Sequence, residues 1–122
     1  MNVLGLAILL LANVWTHVPR NEQWSPDAAV IRRLQSTLET KVRKDASAQH
    51  LVLPEWSSYG FQFQGRVVDG KRVVFVSAYC QHQEGLPTDD FIIVADGGTC
   101  FFETSYDPSK SSFSPIAFHG VG

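Results

Sequence analysis

The Asp69-Gly70 step constrains this chain more than any other pair of its residues. Asp-Gly between alternating apolar and polar residues is a two-residue hairpin turn, because Asp and Gly take positive φ at the least cost. Before it, Tyr59, Phe61 and Phe63 alternate with Gly60, Gln62 and Gln64; after it, the string VVFVSAYC runs from Val73 to Cys80. The turn predicts a register: Val68 faces Lys71, Phe63 faces Val76, Phe61 faces Ala78 and Tyr59 faces Cys80. Tyr59, Phe61, Phe63, Val67, Val74, Val76, Ala78 and Cys80 then share a core face. Gln62, Gln64, Arg66, Lys71 and Ser77 lie opposite, with Val73, Phe75 and Tyr79 among them. An antiparallel sheet leaves such a mixed face open to water. A second layer from the N-terminal or 81–99 segment accounts for it equally well.

Upstream the period is helical. Val30, Ile31, Leu34, Leu38 and Val42 recur at three- and four-residue steps, with Arg32, Arg33, Glu39, Lys41, Arg43 and Lys44 largely on the other side. Ser25-Pro26-Asp27 reads as the start, Ser25 as N-cap and Pro26 in the first turn, and the end falls near Asp45 to Ala48. Downstream, strands are expected at Phe91 to Ala95, Thr99 to Tyr106 and Phe113 to His119, with a turn at Asp107-Pro108. The pattern predicts an α+β domain in which one N-terminal amphipathic helix packs on an antiparallel sheet of about four strands. A sheet curled around one helix, as in cystatin-like folds, is the leading architecture.

The first twelve residues differ from the rest. Val3 to Ala12 carries no polar side chain, and no side-chain charge occurs before Arg20. Ten apolar residues are too few to cross a bilayer as a helix, which takes about twenty, but they suit the apolar centre of a signal peptide. A leader over residues 1–16 is expected, cut after Thr16 or after Ala12, or retained as an anchor, with one domain over 17–122. An exported, periplasmic or secreted location follows, with membrane contact only through that segment if it stays uncut.

Export bears on the two cysteines, which pair more often than not outside the cytosol. Cys80 lies on the core face, and Cys100 shares a face with Phe102, Thr104 and Tyr106. A bridge would set Ala78 against Phe102 and Val76 against Thr104, closing an arm over residues 81–99. A simple hairpin from Cys80 into Phe91-Ile92-Ile93 competes with it and would hold the thiols too far apart. The strings AYC (Ala78 to Cys80), DGGTCFF (Asp96 to Phe102) and YDP (Tyr106 to Pro108) precede a closing F-x-x-x-x-F-H-G. Together they resemble a group of small exported bacterial proteins, over roughly residues 56–122. The resemblance implies a paired Cys80–Cys100 and an envelope or secreted location. It implies no activity, and His119 stands where that group is expected to have Asn.

Candidate chemistry is sparse. His17, His50, His82 and His119 stand in no zinc-protease helix motif and beside no serine on a nucleophile elbow. His82 and His119 fit no recognised metal spacing with the cysteines, so no metal and no cofactor is expected. A Cys–His hydrolase would need a free, activated thiol, which a disulfide removes. Gly97-Gly98 is followed by no Lys-Ser or Lys-Thr and is no phosphate loop.

Charge is more informative. The net charge of −2 lacks the basic surplus of a general nucleic-acid binder. Yet Glu84, Asp89, Asp90, Asp96, Glu103 and Asp107 occur with no intervening Lys or Arg. Such a stretch is either a solvated edge that discourages aggregation or a docking surface for a basic partner. Phe75 and Tyr79 on the outer face have an interface composition. The expectation is a non-catalytic, inhibitor- or immunity-like binding module in the cell envelope. It would contact a protein or small ligand through Glu84, Asp89, Asp90, Asp96, Phe75 and Tyr79, and a homodimer is compatible with it. The alternatives are a small hydrolase using His82 or His119 and a structural envelope component.

Overall fold

A computed structural model describes residues 13–80, 89–92 and 98–120. Among the described residues the one α-helix, α1 (Ala28–Ala48), is capped by Asp27, not Ser25: the Asp27 carboxylate accepts the Val30 N–H at 2.9 Å. A carboxylate satisfies one of the free N–H groups there and also meets the positive end of the helix dipole. Val30, Leu34, Leu38, Val42 and Ala46 recur every four residues and are the buried stripe. Near the other end, Asp45 pairs with Lys41 at 3.2 Å and accepts the Ile116 N–H at 2.9 Å, tying the helix to the end of the chain.

The helix lies on β2 (Tyr59–Val68), β3 (Lys71–Cys80) and β4 (Phe102–Asp107), burying Tyr59, Phe61, Val74, Val76, Ala78, Phe102 and Tyr106. Removing a large apolar side chain from water contributes roughly 1.5–3 kcal/mol, so this one layer supplies the main driving force. All four expected hairpin pairs are present, from Val68↔Lys71 to Tyr59↔Cys80. Asp69 and Gly70 both take positive φ, as the turn requires. The bridge between Cys80 and Cys100 forms, and β4 runs beside β3 with Val76↔Thr104 and Ala78↔Phe102. Val67, expected on the core face, is exposed near the hairpin tip.

The sheet is larger than the expected four strands, and it is mixed. β1 (Val14–His17) pairs in parallel with β2, Val14 beside Gly60 and His17 beside Phe63. A parallel neighbour needs a long crossover, and α1 lies in that connection. Trp15 stacks on Phe61 at 4.3 Å. The leader expected over residues 1–16 therefore overlaps a strand, and the Asn13 side chain donates to the carbonyls of Trp56 and Tyr59. Beyond β4, the expected strand from Phe113 to His119 is two short ones, β5 (Ser112–Phe113) and β6 (Ala117–Phe118), both paired with β4. Pro115, which has no N–H to give a ladder, lies between them. Gly98–Cys100 is a 3-10 turn with Gly98 at φ +58, so β4 begins at Phe102 and not at Thr99. Phe91 and Ile92 are in no strand, and the rest of the strand expected there lies outside the described residues.

Candidate functional site

The outer face of the sheet is covered, not open. Gln62 and Gln64 are only 2% and 4% exposed, and their amides hold a second layer of chain in place. Gln64 donates to the carbonyls of Val18 and Arg20, both at 3.0 Å. Gln62 donates to the Asp90 carbonyl at 2.7 Å and accepts the Ile92 N–H at 2.9 Å, much as a neighbouring strand would. A side-chain amide carries donors and an acceptor, so it can be buried when both ends are satisfied. Glu22 adds a third anchor, its carboxylate accepting the Gly65 N–H at 2.7 Å and lying 2.9 Å from His17 Nε2.

Beside the Asp90–Ile92 segment is a cleft of about 590 Å³ lined by Arg66, Phe75, Asp90, Phe91, Ile92, Glu103 and His119. Arg66 and Phe75 are diagonal neighbours across the hairpin, within reach for long side chains. The Arg66 guanidinium lies 3.7 Å from the centre of the Phe75 ring and 5.2 Å from that of Phe91. The two rings meet edge to face at 5.1 Å. Arg66 Nε donates to Gln64 Oε1 at 2.8 Å, so the buried glutamine fixes the plane of the guanidinium. Burial lowers the Arg66 pKa and the nearby Glu103 carboxylate opposes that shift; an arginine remains a cation in any case.

Glu103 reaches the cleft from β4, opposite Ser77. Its carboxylate is 3.7 Å from His119 Nε2, and the His119 backbone N–H donates to the Phe101 carbonyl at 3.0 Å. Asp90 lies 3.5 Å from Arg20, with both side chains more than half exposed. The cleft thus combines a clamped cation, aromatic walls and a rim of carboxylates. Among the described residues no three of His, Cys, Asp and Glu come together as metal ligands would.

The expected site residues fall into three groups. Phe75 and Asp90 line the cleft, and Asp89 is exposed beside Asp90. Tyr79, expected on an open surface, is 8% exposed: its ring lies over Gly60, its direct partner across the hairpin, and burial raises its phenol pKa. Glu84 and Asp96, and His82 of the alternative reading, lie outside the described residues. Cys80 and Cys100 join the end of β3 to the turn before β4, so the connection between them is closed at its base. The sequence places Arg66 on the outer face, Glu103 in the acidic stretch and Phe91 at the start of a strand, but marks none of the three as a contact residue. The available signal was the alternation Gln62, Gln64, Arg66 on one face with Phe75 across the hairpin.

No protein-family model, no curated protein and no solved structure matches this chain.

Proposed function

We propose that the chain is an exported binding domain acting without catalysis, in an inhibitor- or immunity-like role in the cell envelope. The observation that carries this reading is the meeting of Asp90 and Phe91 with Arg66 and Phe75, with Asp89 exposed beside Asp90. The disulfide-closed connection brings exposed carboxylates to the edge of an aromatic, cation-bearing cleft. Aromatic and arginine side chains supply much of the energy at protein interfaces, and a charged rim steers encounter. The bridge accords with an oxidising compartment, and among the described residues no helix is long and apolar enough to cross a membrane. A leader ending after Ala12 would leave Asn13 and the whole of β1 in the mature domain, so that boundary replaces Thr16 in this reading. Cystatin-like architecture remains the model for the scaffold, one helix laid on a hairpin-centred sheet, with β1 as a parallel addition.

The test is affinity capture from envelope extract with the wild type and with Asp89→Lys/Asp90→Lys. The expected result is loss of a captured partner with an unchanged circular dichroism spectrum and unfolding midpoint. Undiminished capture would remove the acidic rim from the account.

The 3.7 Å approach of Glu103 to His119 favours a second reading, a hydrolase with this pair as acid and base. Alanine at His82 and His119 would then abolish turnover. Unchanged turnover would dismiss it.

A further inference from the structure

Arg66 is held as a receptor is held. Its Nε–H is committed to Gln64, whose own amide is fixed by two backbone carbonyls, and its face is stacked on Phe75. That leaves the N–H groups of its two terminal nitrogens, and among the described residues no carboxylate comes within ion-pair distance of them. A planar guanidinium with a fixed orientation and two adjacent nitrogens to offer matches the two oxygens of a carboxylate. Its entropy of ordering has already been lost in the fold, so little more is lost on binding. Beside it, Phe75, Phe91 and Ile92 form apolar walls, and Glu103 on the far side offers a negative charge.

We infer that this cleft binds the α-carboxylate of an apolar amino-acid residue, the carboxylate on Arg66 and the side chain against Phe75 and Phe91. The same chemistry occurs in a free amino acid and at the C-terminal end of a peptide, and Glu103 separates the two. A free amino acid carries an ammonium group that Glu103 would attract, whereas a peptide end carries a neutral amide there. The inference deepens the binding reading above and rests on it.

The experiment follows the Arg66 Nε–H resonance of the disulfide-intact protein by NMR. It is titrated with leucine and phenylalanine, with their N-acetyl derivatives as peptide ends, and with the amides that lack a carboxylate. The free acids should produce a saturable shift, and the amides should bind about tenfold to a hundredfold more weakly, as loss of a charge-assisted pair implies. In the variants, which have no Nε–H, binding is read from the backbone amide resonances of Phe91 and Ile92: Arg66→Lys, which keeps the charge but not the fork, should fall between wild type and Arg66→Gln, and it serves alone if the glutamine variant fails to fold. Tighter binding of the free amino acids, lost with Glu103→Gln, identifies an amino-acid site; tighter binding of the N-acetyl forms identifies a peptide end. Amides binding as well as acids would overturn the inference. So would the absence of a saturable shift with every acid up to tens of millimolar, beyond the weak end of specific binding. Loss of partner capture with Asp89→Lys/Asp90→Lys in either of these cases would leave the binding reading standing without this ligand class.

Discussion

The backbone carbonyl of Trp24 stands where a Cβ on Gly65 would have to go. The two residues form a bridge, and Trp24 Nε1 reaches past the strand to the carbonyls of Arg66 at 3.0 Å and Val73 at 2.8 Å. The segment before the helix is thereby fastened to the hairpin next to the cleft.

Gly65→Ala should cost on the order of 1–3 kcal/mol or more, because backbone, not a movable side chain, fills the space. Gly70 makes the comparison: its Cβ would enter open space, so Gly70→Ala suffers only from φ +76, about 1 kcal/mol. Urea midpoints of the two variants decide the matter. A Gly65 variant as stable as the Gly70 variant would contradict the close approach.

The Cys80–Cys100 bridge spans a sequence separation of 20. Loop-closure entropy assigns such a link roughly 3 kcal/mol. Replacing both cysteines by serine should lower the unfolding free energy by that order while the far-ultraviolet spectrum keeps its shape. Alkylation with mass measurement, before and after reduction, tests the bond itself, and two free thiols in protein freshly purified under non-reducing conditions would refute it.

Asp27→Ala should destabilise the protein by about 1 kcal/mol, the usual effect of removing an N-cap side chain. Ser25→Ala should change little, since Ser25 lies outside the helix and does not hold its first N–H groups. The reverse order of the two thermal midpoints would restore the cap that the sequence suggested.

Alkaline pH provides a fourth measurement. Burial raises the phenol pKa of Tyr59, against an opposing effect of Arg43, and raises that of Tyr79. The Tyr59 hydroxyl donates to the Thr99 carbonyl. Both folded values lie above the unfolded value of about 10. The stability these phenols contribute is therefore present below about pH 10 and is lost as pH rises towards their folded values. Phenolate absorbance should lag behind a free tyrosine and then rise together with the loss of structure. Assignment by Tyr59→Phe and Tyr79→Phe completes the test, and ionisation of either residue near pH 10 in a still-folded protein would count against it.

The hairpin was legible because its information is local. Asp69-Gly70 fixes one pairing, and every other pair from Tyr59↔Cys80 onward follows by counting. The placement of Phe102 against Ala78 needed one further fact, the pairing of two thiols. β1 escaped notice because parallel pairing has no turn between its partners to announce it, and because Val14 and Trp15 follow directly on an apolar run. Gln62 and Gln64 misled for another reason. In an alternating pattern a glutamine reads as solvent-facing, yet here each is buried and satisfied by backbone from a distant segment. The cleft depends on that second layer, so its residues could be named singly from the sequence, but their meeting could not.

The parallel seat of β1 has a consequence for the order of assembly. Val14 is made early in the chain, but its partner Gly60 lies beyond the whole of the helix. Among the described strands β1 therefore cannot pair until a partner more than forty residues further along the chain has been made, and it takes the edge of the sheet. A segment that arrives late and lies at a border is also the easiest to lend, and two crowded molecules could exchange it without disturbing either core.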